Sequence, residues 1–253
     1  MDKTERVRLD KLLLERGIAP SRERAQALVL AGKVLVNGQK VDKAGTAVER
    51  GAEIRLLSPD LRYVSRAGEK LAHAIRHWGI PVDGKICLDV GASTGGFTDC
   101  LLQHGARRVV AVDTGHGQIA FPLRQDARVR LLEKSNARYL TRDQVGENAD
   151  LIVIDVSFIS ATLVLPAVVA AAFPQDAAER RGRELVVLVK PQFEAGREHV
   201  GKGGIVRDAE TQKRAVEKVR NAVESLGARS ADVTESPIRG AEGNREFLLY
   251  ARF

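Results

Sequence analysis

Leu9, Leu12 and Leu13 repeat at i, i+3 and i+4 and run out at Gly17, which is the pattern of a short amphipathic helix with a glycine stop behind it. A second helical stretch follows in SRERAQALVLAG. Ser21 stands where an N-cap belongs, Ala25, Leu28 and Val29 face one way, and Gly32 closes the segment. The period then drops to two. KVLVNGQKV alternates around Asn37-Gly38, a strong hairpin signal, and VERGAEIRLL reads as one more strand. Residues 1–60 are therefore expected to form a small α+β module of two helices followed by a few short strands.

SPDLRYVSRAG carries a proline, mixed charges and a glycine with little periodicity, so a linker is expected, with its centre at 61–67. Beyond it the pattern changes again. ICLDV, VVAVD, LIVIDV and LVVLV are short runs rich in Val and Ile, separated by segments with helical potential. That alternation predicts a doubly wound, mostly parallel sheet over 68–253. ARSADVTESPI and REFLLYARF follow each other with no helical segment between them, which predicts an antiparallel carboxyl-terminal strand at the sheet edge. The fold class expected is a Rossmann-like α/β domain preceded by a small α+β domain.

LIVIDVSFISATLVLPAVVAAAF (151–173) is about the length that spans a bilayer. Asp155 near its start and Pro166 within it argue instead for a buried strand followed by a buried helix. No membrane association is expected. The opening MDKTERVRLD lacks the apolar core of a signal peptide, and a cytoplasmic location is expected.

Charge adds a partner class. The chain of 253 residues has a net charge of +7. Residues 1–70 hold 15 Lys and Arg against 10 Asp and Glu, so the first module is basic and suited to an anionic partner. Two cysteines, Cys87 and Cys100, are too few for a disulfide framework or a zinc site, and no metal is expected.

The chemistry begins at DVGASTGGF. The loop follows an apolar strand and opens a helix, the setting in which a cofactor sits at strand carboxyl ends. Its glycines, at 91, 95 and 96, miss the dinucleotide spacing, and Phe97 stands where a phosphate-binding loop needs lysine. Asp89, Gly91, Ala92, Ser93, Thr94, Gly95, Gly96 and Phe97 instead resemble the first motif of S-adenosylmethionine-dependent methyltransferases. There the glycines let the backbone approach the amino-acid end of the cofactor. Asp113, ending the next strand, can accept both ribose hydroxyls, and Asn136 can read the adenine edge. A parallel sheet finished by an antiparallel hairpin also fits the methyltransferase plan.

The order RLDKLLLERGIAPSRERAQALVLAGKVLVNG closely resembles the S4 RNA-binding domain. The resemblance implies that Arg6, Arg8, Lys11, Ser21, Arg22, Arg24, Lys33 and Asn37, with Arg66 beyond the module, face RNA. No aromatic residue precedes Tyr63, so backbone and shape recognition is expected from this module rather than base stacking.

Lys70 heads the first helix of the larger domain, Asp155 and Lys190 end buried strands, and Glu246 opens the last strand. In that order they resemble the Lys–Asp–Lys–Glu tetrad of FtsJ-like RNA 2′-O-methyltransferases. Glu242, four residues before Glu246, is an alternative for the last place. With the S4-like module and the segments SRAGEKL, DVSFIS, VKPQFE, GKGGIVRD and GNREF, the chain is similar throughout to the TlyA family of ribosomal RNA methyltransferases, historically labelled haemolysins. The resemblance implies methylation of a cytidine 2′-hydroxyl in ribosomal RNA within a ribosomal subunit. The compact ends of the chain favour the large subunit. DVSFIS lacks the NPPY-like pattern of base-modifying enzymes, and neither cysteine is placed to attack a base, so sugar methylation fits better. The competing classes are a non-enzymatic RNA-binding ribosome assembly factor and a membrane-active haemolysin.

Overall fold

The computed structural model of the chain describes residues 5–19, 21–30, 32–57, 62–240 and 242–253. Two compact units divide it, Met1–Leu61 and Arg62–Phe253. The segment expected as linker thus falls partly outside the described residues. Tyr63 within it is 1% exposed, in the second unit's core.

In the first unit, β1 (Arg6–Arg8) leads into α1 (Leu9–Glu15), and α2 (Arg22–Leu30) packs on it. Leu9, Leu12, Leu13, Ala25, Leu28 and Val29 are all buried, as their spacing requires. Gly17 and Gly32 end the two helices with positive φ, 65° and 64°. The Ser21 hydroxyl accepts the Arg24 N–H at 3.2 Å and caps α2. β2 (Val34–Val36) and β3 (Gln39–Val41) pair across Asn37-Gly38, both left-handed. VERGAEIRLL departs from the expected single strand. It contributes to two, β4 (Ala47–Glu49) and β5 (Ile54–Leu56), turning at Arg50–Gly51. β4 pairs with β1, a strand whose three residues are too few to show a period, and β5 pairs with β2.

The second unit starts with α3 (Ala67–Trp78) and β6 (Ile86–Val90), followed by α4 (Gly96–Gln103) and β7 (Arg108–Val112). Then come α5 (Phe121–Gln125), β8 (Val129–Leu132), α6 (Arg142–Val145), β9 (Leu151–Ile154) and α7 (Leu165–Ala172). β10 (Glu184–Val189), α8 (Pro191–Glu194), α9 (Ala209–Ser225), β11 (Ser230–Glu235) and β12 (Phe247–Arg252) complete it. The seven strands are ordered β11-β12-β10-β9-β6-β7-β8. All pairs from β10 to β8 are parallel, and β12 runs antiparallel to both β10 and β11.

β9 reads as an unbroken apolar run, and β6 and β10 are interrupted only by Asp89 and the opening Glu184, because both faces of the sheet are covered. One core holds α7 and α9 against it, and the other holds α3 and α4. The apolar segment 151–173 is therefore strand β9, a loop, and helix α7, with the strand and one face of the helix inside this core and Phe158 and Leu163 of the loop exposed. Pro166 lies in the first turn of α7, where its missing N–H is harmless. Among the described residues no helix is long and apolar enough to cross a membrane.

Since β12 is antiparallel, its first residue pairs with the last residue of β10 (Val189↔Phe247). Glu246 consequently stands at the same end of the sheet as Lys190 and Asp155.

Candidate active site and RNA-facing residues

At that end of the sheet Lys190 Nζ lies 2.6 Å from Asp155 Oδ1 and donates to Ser157 Oγ at 2.7 Å. Asp155 follows β9, Lys190 follows β10, and the parallel pairing of these strands brings the two side chains together. The other pair is Lys70, in the first turn of α3, whose Nζ donates to Glu246 Oε2 at 2.5 Å. Lys70 is 8% and Glu246 3% exposed, whereas Glu242 is exposed. The four residues expected from the sequence thus come together as two lysine–carboxylate pairs, each sheltered from water. A buried charge is tolerated when paired in this way.

Asp155, alone of the four, also lines a cavity of about 900 Å³ whose walls include Gly91, Ser93, Asp113, Asn136 and Phe158. Ser93 has φ 49°, and its N–H donates to Asp113 Oδ2 at 2.8 Å; Gly115 N–H donates to Asp113 Oδ1 at 2.6 Å. Asp113 is thereby fixed with lone pairs to spare for hydroxyl donors. Asn136 spends its carboxamide oxygen on the Arg138 N–H at 3.1 Å, capping a 3₁₀ turn, and keeps its amide donors for the cavity. Of the remaining loop residues, Ala92 and Phe97 are core side chains, Gly95 and Gly96 are buried, and Thr94 is exposed.

The glycines open less space to a ligand than expected. A Cβ on Gly91 would stand 2.3 Å from the Asp155 carbonyl oxygen, one on Gly95 2.3 Å from Leu123, and one on Gly96 2.2 Å from Ser65 Oγ. Protein atoms fill the clearing. The glycines therefore let the loop pack on its own domain, and Gly91 and Gly95 also need positive φ, 85° and 93°.

Asp89 lies behind the loop with no exposure. Its Oδ2 accepts from Thr98 Oγ1 at 2.6 Å, while Oδ1 has no partner among the described residues. Burial pushes its carboxyl up to about 7, against the lowering hydrogen bond from Thr98 and with help from nearby Asp155 and Asp113. On the cavity wall the fixed Asp113 carboxylate and the free Asn136 amide form an acceptor and donor set that fits a nucleoside, while Asp89 lies buried behind the loop. No group of His, Cys, Asp and Glu suited to a metal occurs among the described residues.

Two residues of the site carried no role from the sequence. Phe158, in the DVSFIS segment, is 92% exposed with φ 65° and leans on Phe193, ring centroids 5.4 Å apart. Glu194, at the end of α8, is 6% exposed and takes the Ala161 N–H at 2.6 Å as well as the Ser160 hydroxyl. A bulky aromatic just past the end of a buried strand was the signal available for Phe158. Glu194 has no such signal, since its position matches that of any acidic residue near a helix end.

In the first unit Arg6, Lys11 and Arg22 are exposed, and Arg8 has half its side chain exposed. Arg24 and Lys33 are partly buried. Ser21 and Asn37 serve the fold. Ser21 is the α2 cap, and Asn37 Oδ1 accepts the Glu53 N–H at 2.8 Å. Arg66 is exposed at the N-cap of α3 in the second unit.

Comparison with known proteins agrees with this division. The FtsJ-like methyltransferase family matches residues 63–253 and the S4 domain matches residues 7–54. The chain is 45% identical over 248 residues to the 16S/23S rRNA (cytidine-2′-O)-methyltransferase TlyA of Mycobacterium tuberculosis, covering 98% of this chain and 90% of that one. It is 42% identical over 246 residues to Hemolysin A of Brachyspira hyodysenteriae, with 96% and 99% covered. A solved structure of a hemolysin candidate from Streptococcus thermophilus superposes with a TM-score of 0.72 at 41% identity, covering 98% of this chain and 89% of that one. With a methyltransferase match across three quarters of its length and close relatives across nearly all of it, the chain belongs to the TlyA family of FtsJ-like methyltransferases with an amino-terminal S4 domain.

Proposed function

We propose that this protein methylates the 2′-hydroxyl of a cytidine in ribosomal RNA, using S-adenosylmethionine. The observation that carries the reading is the pair of sheltered lysine–carboxylate contacts at one end of the sheet, Lys190–Asp155, whose Asp155 lines the Asp113 cavity, and Lys70–Glu246. In this reading Asp113 holds the cofactor ribose, Asn136 the adenine, and the 89–97 loop the amino-acid end. When bound, S-adenosylmethionine supplies an electrophilic methyl group on a sulfonium.

A ribose hydroxyl is a poor nucleophile near neutral pH. Lys190 would orient the hydroxyl and accept the proton it gives up on methylation, the methyl's bond to sulfur breaking as its bond to oxygen forms. Asp155 steers Lys190 and stabilises positive charge nearby. Lys70 and Glu246 complete the polar frame around the acceptor ribose. Alignment of two bound partners accounts for much of the rate. Phe158 offers an aromatic face on which the acceptor nucleotide can stack.

The division of labour follows the sequence. An S4 domain at 1–60 grips folded RNA and the methyltransferase domain at 68–253 follows, with Tyr63 of the 61–67 stretch expected as linker built into the second unit's core. Arg6, Arg8, Lys11, Arg22, Arg24, Lys33 and Arg66 would hold phosphates. We place the reaction in the cytoplasm, in keeping with two cysteines that are free and buried. The large ribosomal subunit is the first substrate to try, with the small subunit beside it because the Mycobacterium relative's name covers both RNAs.

The test supplies methyl-labelled cofactor and unmodified subunits, then digests the RNA with alkali. A 2′-O-methyl group blocks strand cleavage at its own nucleotide, so label in an alkali-resistant dinucleotide containing cytidine supports the reading. Label in a base overturns the sugar assignment. Cofactor binding with no label in either subunit overturns the enzyme reading in favour of an assembly factor.

A further inference from the structure

Asp10, the second residue of α1, is a carboxylate with no exposure in a domain whose surface is basic. Five donors meet it. Arg8 Nε and the Lys11 N–H reach Oδ1 at 3.0 and 2.9 Å. Arg8 Nη2, Arg22 Nε and Gln26 Nε2 reach Oδ2 at 2.9, 3.1 and 3.0 Å. Arg8 is the largest influence holding the Asp10 carboxyl far below the usual carboxylate range, and Asp10 in turn raises Arg8.

The two arginines come from different elements, one just before α1 and one at the start of α2, and they meet on a single oxygen. Both side chains remain 52% exposed. Among the described residues Arg22 spends only Nε on Asp10, and Arg8 spends Nε and one terminal nitrogen, so each keeps at least one terminal nitrogen that Asp10 does not use. Two guanidiniums this close repel unless an anion lies between them. Asp10 supplies one negative charge from behind and leaves the cluster with one net positive charge, which matches the single negative charge of a phosphodiester. Arginine forks are suited to phosphate, and a fork already fixed by a buried partner loses little freedom on binding.

We propose that Arg8 and Arg22, held by Asp10, form a preassembled clamp that brackets one backbone phosphate of the RNA, with Asp10 as its positioning residue. The inference rests on the RNA-binding reading of the first unit given above.

It makes a prediction whose sign is unusual. Asp10→Asn removes a negative charge from an RNA-binding surface, and charge counting alone would tighten binding. The clamp requires the opposite. Asp10→Asn in the full-length protein weakens binding to isolated, unmodified ribosomal subunits by about tenfold, with a salt dependence shallower by about one phosphate contact. Affinity for S-adenosylmethionine stays at the wild-type value. Tighter or unchanged RNA binding by a folded Asp10→Asn protein overturns the clamp.

Should Asp10→Asn fail to fold, Arg8→Ala, Arg22→Ala and the double variant decide the matter. Two arginines on one phosphate give a double variant little worse than either single one. Full additivity overturns the clamp while leaving the RNA-binding reading intact. No loss of RNA affinity in either single variant overturns both.

Discussion

Lys190 and Glu194, four residues apart at the two ends of α8, hold the two ends of the loop that follows β9. Lys190 binds Asp155 and Ser157; Glu194 binds the Ser160 hydroxyl and the Ala161 N–H. Lys218 on α9 closes on Glu194 in turn, at 3.6 Å from its carboxylate and 2.9 Å from its carbonyl oxygen. Phe158 stands between the fixed ends. One short helix therefore sets both the proposed base and the platform beside it.

Glu194→Ala should free the far end of the loop while leaving the loop at 89–97 untouched. We expect kcat to fall at least tenfold and KM for RNA to rise, with S-adenosylmethionine affinity unchanged by calorimetry. Glu194→Gln keeps one acceptor for the Ala161 N–H and should recover most of the lost rate. Equal loss of cofactor affinity and activity in both variants would mean a general unfolding of the site.

Phe158 pairs a left-handed backbone with a wholly exposed ring, two unfavourable choices at one position. A left-handed conformation costs roughly 1–2 kcal/mol for a residue with a β-carbon. Phe158→Gly should therefore raise Tm by a few degrees while lowering kcat/KM for RNA by about one to two powers of ten, the size of base–aromatic stacking. Phe158→Tyr should keep both properties near wild type. Unchanged kcat/KM in the glycine variant would remove Phe158 from the site.

The Lys70–Glu246 pair separates stability from chemistry. Glu246→Ala leaves a buried lysine unpaired, a loss of about 3–5 kcal/mol for such pairs, whereas Glu242→Ala changes an exposed side chain and should be neutral in stability and activity. The double variant Lys70→Met, Glu246→Leu should melt close to wild type and remain inactive. Activity in that double variant would show the pair to be structural only. Activity lost in Glu242→Ala but kept in Glu246→Ala would exchange their roles.

Asp89 makes stability fall with rising pH. Its carboxyl is raised to about 7 in the folded protein from 3.8, so between those values the folded state keeps a proton that the unfolded chain has lost. The stabilisation is fully present below about pH 4 and is lost as pH climbs through about 7. Asp89→Asn should flatten this window, gaining a few kcal/mol over wild type above pH 7. Parallel urea-unfolding profiles for the two proteins between pH 5 and 8 would contradict the assignment.

Much of this was legible in the chain. Leu9, Leu12 and Leu13, the Asn37-Gly38 turn and the apolar strands carry strong periodic signals, and Lys190 and Asp155 stood out as charges ending buried strands. β1 and the split of 48–57 into β4 and β5 were not legible, because three-residue strands hold too little pattern. Asp10 and Glu194 were missed for another reason. A carboxylate near a helix end reads as solvated until tertiary contacts bury it under arginines, a serine hydroxyl or a backbone N–H. The glycines at 91, 95 and 96 marked the right loop, but their neighbours Asp155, Leu123 and Ser65 are far off in sequence, so the reason for them emerged only from packing.

The central claim is that Lys190, held by Asp155, accepts the proton of a ribose hydroxyl. Its most direct test is a single-turnover comparison of wild type with Lys190→Ala, using methyl-labelled S-adenosylmethionine, unmodified ribosomal subunits and separately measured cofactor and RNA affinities. The expected result is label at a cytidine 2′-oxygen with wild type, and a rate at least a hundredfold lower for Lys190→Ala at unchanged affinities. A Lys190→Ala protein that methylates the same oxygen within a few-fold of the wild-type rate would contradict the account.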